Sequence, residues 1–410
     1  MGKNLITPYE ALEKILGASS FVGFEIVDIY SSPGRVIFED PISRRSLPAF
    51  ANSAMDGYAV KFEDIKNIPA NLKVIGTIQA GDNISGLKLK KKTAYKIMTG
   101  AFIPEGADTV VEYEVTKEND GNVTILKEKK KGANIRFQGE DVKEGEVLAL
   151  KGEVITPEIY ARLISVGVGF VKVSRKPKVL IIATGNELAY PGENDDKCKT
   201  IDSNSFYLSE VLKKEGADVE YMGISRDNID DFSSKLQNID KYEFIVSSAG
   251  ISEGDFDVVS NARDILDIQW IFKGVKQKPG KPFSFGFIRN KPLFALPGNP
   301  VSSAFCTYFY ILPFLRKSIG RNKFYNDNIT ARTLDKMFKK NNRFHFNRGL
   351  LKYNGELKTF EVSPFVTQDS HIINSIVVSN CYIVIDGDVT GEIKEGSEVK
   401  CYVYNKDTIF

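Results

Sequence analysis

The segment FIVSSAGISEGDFD, residues 244 to 257, is where an apolar run stops in small residues and acids. Ile245 and Val246 read as the end of a buried strand. The turn after them carries Gly250 and Gly254, with Ser252, Glu253, Asp255 and Asp257 alongside. A glycine-rich turn between strand and helix leaves backbone N–H groups free to meet an anion. Acids in the same turn repel a phosphate unless a cation bridges them, so the pattern fits a divalent metal between carboxylates and a phosphorylated ligand. Capping of the next helix by Asp255 and Asp257 is the other reading of these residues.

Two more strand ends carry acids. The run Val179-Leu180-Ile181-Ile182 is of the kind buried on both faces of a parallel sheet, and it ends in ATGNEL, residues 183 to 188, with Glu187. The strand expected over 219–224 is followed by Asp227. Helical patterns over 206–215 and from Ile229 separate these strands, which predicts βαβ units and a doubly wound α/β sheet. Ligands of such sheets lie beyond the carboxyl ends of the strands, where the three sets of acids converge. A strand over 269–275 leads into Lys276, Lys278, Pro279, Gly280 and Lys281, point charges suited to phosphate or an oxyanion. Leu296 ends the next strand before Pro297-Gly298-Asn299-Pro300, and a helix to about Leu315 follows, which Pro313 is expected to bend or shorten.

Thr7-Pro8-Tyr9-Glu10 is a capping box opening a short amphipathic helix, and Thr156-Pro157-Glu158 starts a second helix. Strand-like stretches at 24–30 and 35–38 lead to RRSLPAFANSAMDGYAV, residues 44 to 60, which has neither helical nor strand periodicity. Such a stretch is held by contacts outside itself or turns as a hairpin at Asp56-Gly57. Short β-rich runs up to about residue 141 predict a small inserted β domain, within which Thr99 follows a strand and Asp141 closes NIRFQGEDV. Lysine runs at 88–92 and 127–131 read as solvated faces. From residue 325 onward, short strands between Gly, Asn and Asp turns describe a β-barrel or sandwich, with Arg348 and Asp369-Ser370-His371 near strand ends.

The 410 residues exceed one ordinary core and imply two to four domains. Fifty-five Lys and Arg against 53 Asp and Glu leave a formal charge of +2, which gives no global field for nucleic acid. Four scattered cysteines and only two histidines, His345 and His371, lack zinc-ligand spacing, so a metal here is expected to be a hard one held by oxygen. No apolar run approaches the ~20 residues that span a bilayer, and the N-terminus lacks a signal-peptide core, so the expected location is the cytoplasm, with no membrane partner.

Taken together, NSAMDGYAV at 52–60, KIMTGAFIPEGADTVV at 96–111, ATGNEL, SSAGISEGDFD, KPGKPFSFG at 278–286 and LPGNPVSSAF at 296–305 resemble the molybdopterin molybdenumtransferases of the MoeA type, whose eukaryotic counterpart is the C-terminal part of gephyrin. The resemblance runs nearly end to end. It implies a multidomain protein: an elongated domain of residues 1–45 and 142–175, an inserted β-rich domain of 46–141, an α/β molybdopterin-binding domain of 176–322 and a C-terminal β-barrel of 323–410. It also implies a homodimer that takes adenylylated molybdopterin and molybdate or tungstate, inserts the metal at the dithiolene and releases AMP with Mg²⁺. A molybdopterin adenylyltransferase and apo-molybdoenzymes are the further partners it suggests.

By position in these motifs, the resemblance assigns catalysis to Asp56, Thr99, Asp141, Glu187, Asp227 and Asp257, with Asp227 and Asp257 at the metal. Ser252, Gly254, Lys278, Lys281, Pro297 and Pro300 fall at the substrate. Arg348 and Ser370 are expected to reach it from the C-terminal domain, across the dimer. Asn186 and Ala249 stand where the family usually has Asp and often has Gly. An adenylyltransferase shares the α/β domain but has no place for the long N-terminal loops and the insertion. A scaffolding protein would need no convergence of acids.

Overall fold

The computed structural model describes residues 5–193, 198–249 and 265–409. Its first helix, α1 (Pro8–Gly17), begins as the sequence predicts: the Thr7 side chain accepts from Glu10 N–H, and the Glu10 carboxylate takes the Thr7 N–H at 2.8 Å. Ala11, Leu12, Ile15 and Leu16 form its buried stripe. Strand β1 (Phe24–Asp28) then waits for a partner far along the chain. The expected strand at 35–38 forms only isolated bridges, Val36 to Val154 and Ile37 to Val173, because it crosses between elements instead of lining one.

An inserted sheet follows, made of β2 (Gly57–Val60), β3 (Ala70–Ile78), β4 (Thr93–Ile97), β5 (Thr109–Glu112), β6 (Thr116–Asn119) and β7 (Asn122–Ile125) in the spatial order β5-β2-β4-β3-β7-β6. β2 is buried on both faces: Tyr58 and Val60 join one core cluster and Ala59 another. There is no hairpin at Asp56-Gly57. Gly57 instead begins a strand so close to β5 that a Cβ there would stand 2.0 Å from the Val111 carbonyl oxygen, which only glycine permits. In the lysine runs, Lys88, Lys129 and Lys131 pair with Glu105, Glu112 and Asp108.

Helix α2 (Pro157–Ser165), capped by Thr156, returns the chain to β8 (Phe170–Ser174), which pairs antiparallel with β1 from Phe24–Ser174 to Asp28–Phe170. Next comes the α/β unit. β9 (Lys178–Thr184), α3 (Asn204–Lys214), β10 (Asp218–Ser225), α4 (Ile229–Lys235) and β11 (Phe244–Ser248) alternate as expected, then β12 (Ile268–Lys273), the two-residue β13 (Gln277–Lys278), β14 (Ser284–Ile288) and β15 (Lys291–Leu296) follow. The six-stranded sheet runs β10-β9-β11-β15-β14-β12, with β10, β9, β11 and β15 parallel and the last two antiparallel. Val179 and Ile181 of β9 face a core shared with α1 and α3, while Leu180 and Ile182 face α4, so this apolar run is covered on both sides.

After β15, helix α5 (Pro300–Cys306) passes through a π-helical turn, Thr307–Ile311, into α6 (Leu312–Ser318). The expected bend is taken up here. Pro313 has no N–H and its ring crowds the carbonyl four residues back, and a widened turn just ahead of it relieves both while the helix continues. The chain ends in a closed five-stranded barrel of β16 (Asn328–Thr333), β17 (Phe344–Asn354), β18 (Thr359–Pro364), β19 (Cys381–Ile385) and β20 (Glu398–Val403), ordered β17-β18-β16-β20-β19 and shut by β17 with β19. β13 of the α/β unit adds to this barrel in parallel, Gln277 beside Phe344 and Lys278 beside His345. Within the barrel Lys339 is fully buried, its ammonium donating to the carbonyls of Asp386, Gly387 and Val389. No described helix is long and apolar enough to cross a membrane.

Candidate active site

A cleft of about 950 Å³ opens beyond the carboxyl ends of β9, β11 and β15, where the topology predicts it. One wall is acidic. Glu187 stands in the turn after β9, and Gly185, at φ 146°, has no Cβ because one would meet the Glu187 carboxylate at 2.6 Å. Asp227 follows β10. The two turns clasp each other: Asn186 N–H donates to Asp227 Oδ2 at 3.1 Å, and Asp227 N–H donates to Asn186 Oδ1 at 3.2 Å. Arg226 donates to the carbonyls of Asn186 and Leu188 on either side of Glu187, at 3.3 and 3.2 Å. Asn186 thus ties the two strand ends together through its amide, and both carboxylates line the cleft.

The floor comes from Ser248 and Ala249 at the end of β11 and from Pro297 to Pro300 after β15. Ala249 adopts a left-handed φ of 74°, and Asn204 holds the loop by donating to the Gly298 carbonyl at 2.8 Å. The same cleft has a cationic wall. Lys278 and Lys281 flank Pro279-Gly280, and Gly280 is obligatory, with φ 86° and Cys306 Sγ 2.8 Å from where a Cβ would stand. Arg343, just ahead of β17, brings a third cation from the barrel.

Ser370 and His371 complete the rim. Ser370 belongs to the same protomer's site: its hydroxyl accepts from Asn299 Nδ2 at 2.9 Å, and its carbonyl accepts from Val301 N–H at 3.1 Å. Arg348 lies beneath the site instead of in it. Its guanidinium, 1% exposed, donates to the carbonyls of Thr367, Gln368 and Asp369 and to Ser375 Oγ, and so holds the loop that presents Ser370. Burial draws its pKa below the usual arginine value, and these acceptors compensate the desolvated charge.

Asp56 and Thr99 meet each other, away from this cleft. Both the amide and the hydroxyl of Thr99 donate to Asp56 Oδ1, at 2.7 and 2.8 Å, which holds the exposed Asp56 carboxyl below its ordinary range. Asp141 sits where the chain leaves the inserted sheet, its N–H bonded to the Leu47 carbonyl. None of the three lines the cleft. Ser252, Gly254 and Asp257 lie outside the described residues.

Sequence reasoning missed Arg343 and Asp202 on the cleft lining, and singled out His371 only as part of the Ser370 turn. Asp202 could have been found, since it stands one residue before the N-cap Ser203 of α3 and its carboxylate accepts Ser205 N–H at 3.0 Å, an acid at a helix start. Arg343 could not, because only the β13–β17 pairing brings it to the lysines.

Residues have oxygen donors suited to Mg²⁺, which retains waters and binds through one or two carboxylates and substrate phosphates. Asp227 fits that requirement, with one oxygen engaged by Asn186 and the other not held by it, and Glu187 stands beside it. Among the described residues no group of three or more His, Cys, Asp or Glu forms a closed metal cage.

Three family models match the chain in succession: the MoeA N-terminal region (domain I and II) over residues 6–167, a probable molybdopterin binding domain over 180–317, and the MoeA C-terminal region (domain IV) over 330–404. A molybdopterin molybdenumtransferase of Haemophilus influenzae is 33% identical over 405 residues, covering 98% of this chain and 99% of that one. One of Staphylococcus epidermidis is 30% identical, covering 94% and 93%. Among solved structures, the molybdopterin biosynthesis MoeA protein of Pyrococcus horikoshii superposes with a TM-score of 0.82 at 28% identity, covering 98% of this chain and all of that one. A molybdenum cofactor biosynthesis protein of Pyrococcus furiosus, 20% identical with a TM-score of 0.61, shares the fold.

Proposed function

The chain belongs to the MoeA family of molybdopterin molybdenumtransferases, and we propose that it inserts molybdate, or tungstate, into adenylylated molybdopterin with Mg²⁺-dependent release of AMP. The observation that carries this reading is one cleft lined both by the acids Glu187 and Asp227 and by the cations Lys278, Lys281 and Arg343. A nucleotide-bearing pterin and a dianionic oxyanion need both, cations for the anions and carboxylates for the metal that joins them.

Asp227 would hold Mg²⁺ with Glu187 beside it, and Asp257 is proposed to join them. The ion, when bound, neutralises charge that builds on the phosphate oxygens. Lys278, Lys281 and Arg343 hold the anions as fixed donors. Ser370, locked to Asn299, supplies a hydroxyl at the rim. Water cleaves the phosphoanhydride to AMP and the pterin phosphate, and oxo oxygen leaves molybdate as water, taking up the thiol protons, as the two dithiolene sulfurs bind the metal. No protein nucleophile is required, and no cysteine lies among the described lining residues.

We place the reaction in a cytoplasmic homodimer. Phe24, Ile26 and Phe170 of the β1–β8 ribbon, with the nearby Tyr30, are 49, 61, 72 and 80% exposed, an apolar face that a second copy would cover. In that arrangement Asp56, Thr99 and Asp141, remote from their own cleft, are proposed to serve the partner's. A molybdopterin adenylyltransferase supplying substrate and apo-molybdoenzymes taking the product are the remaining partners of this reading. The test is AMP release from adenylylated molybdopterin with Mg²⁺, with and without oxyanion. Oxyanion-dependent release is expected; ATP consumption with plain molybdopterin, or binding without turnover, would replace this reading.

A further inference from the structure

A buried histidine sits among three cations where the lysine turn joins the barrel. His345, on β17, is 7% exposed and lies directly across from Lys278 in the β13–β17 pair. Lys339 and Arg343 are its other charged neighbours, and burial together with these cations pushes its pKa down to about 4, so the ring is neutral near pH 7. Lys339 is committed to its three carbonyls. Arg343 is not: among the described residues its guanidinium has no hydrogen-bond or ion-pair partner, and it lines the cleft.

What fixes Arg343 is its backbone. Asn341 Oδ1 accepts the Arg343 N–H at 3.1 Å, closing an Asx turn, and lies 3.1 Å from His345 Nε2. An amide oxygen already taking one N–H sets the ring as the Nε2–H tautomer, donating to the same atom.

We propose that His345 is a positioning residue: its neutral ring, donating to Asn341 Oδ1, holds the turn that presents Arg343 to the cleft, and it separates Arg343 from Lys278 and Lys339 without adding charge. Replacing the ring by an apolar side chain removes one of two donors from Asn341 and lets the turn relax, so the guanidinium spends less time on its anion. This inference rests on the reading of Arg343 as an anion contact, and the experiment separates the two.

AMP release by the full chain gives an apparent KM for each anionic substrate in wild type, Arg343→Ala, His345→Leu, His345→Gln and the Arg343→Ala/His345→Leu double variant. Arg343→Ala is expected to raise the KM of one anion by about tenfold, the loss of one charged contact. His345→Leu should raise the same KM by about three- to fivefold with kcat nearly unchanged, and His345→Gln, which keeps a donor, should restore it. In the Arg343→Ala background His345→Leu should add nothing. Where His345→Leu does not fold, Asn341→Ala removes the shared acceptor and carries the same expectation. A raised KM in Arg343→Ala with an unmoved His345→Leu, an undiminished histidine effect without Arg343, or no rescue by glutamine each overturns the inference alone. A wild-type KM in Arg343→Ala ends both readings.

Discussion

The acidic wall of the cleft is made within one sheet, and the cationic wall is made between two domains. Glu187 and Asp227 end neighbouring parallel strands, and a reciprocal pair of hydrogen bonds through Asn186 locks their turns. Lys278 ends a two-residue strand whose partner is in the barrel, Lys281 follows it, and Arg343 leads into that partner. The acids are fixed by the sheet's own register. Arg343 keeps its place beside the lysines only while the barrel stays paired, so the cationic side can be disturbed while the carboxylates stay where the sheet puts them.

The largest effect should fall on the acidic wall. Asp227→Asn keeps an acceptor for Asn186 N–H but removes the charge, and AMP release is expected to drop by about a hundredfold or more, with unfolding temperature nearly unchanged. A parallel loss of stability would mean that the clasp, and not the charge, is what Asp227 supplies. Lys281→Ala comes next, raising the KM of an anionic substrate by about tenfold while leaving Mg²⁺ dependence in place; altered Mg²⁺ dependence would show that the two walls are not separable.

Arg348→Leu tests the cationic side from below. Removing four donated hydrogen bonds from the Ser370 loop should cost about 2–4 kcal/mol in denaturant unfolding. Unchanged stability would contradict its role as the loop's support. The smallest effect belongs to the inserted domain. Asp56 has a carboxyl whose folded pKa lies below the ordinary 3.8, so the bonds to Thr99 contribute fully above that value and are lost as pH falls through the lower folded one. A pH titration of Thr99→Val should therefore differ from wild type near neutrality and converge with it in acid.

The same contrast explains what could be read from the chain. The apolar run of β9, the capping box at Thr7 and the acids after β9 and β10 are local signals, and each appears in the fold as expected, while the acids at 253–257 lie outside the described residues. Asp56 and Thr99 were separately visible, but their contact joins residues 43 apart, through strand pairing that no local pattern specifies. Arg348 shows another limit. A buried arginine serving four acceptors and an exposed arginine facing an anion are the same letter, and only burial tells them apart. Arg343 was hidden for the converse reason: its surroundings in sequence are an ordinary Asn turn, and its site is assembled by another domain.

The pairing of β13 with β17 also bears on inheritance. A recombination that exchanged this barrel for a relative's would bring one half of a strand pair and leave the other, with Lys278 and Lys281, in the recipient. Such a chimera would keep its carboxylates and its core and still fit its anion poorly. The smallest exchangeable piece is therefore the barrel together with the turn at 276–281, two segments separated in the gene that must change together.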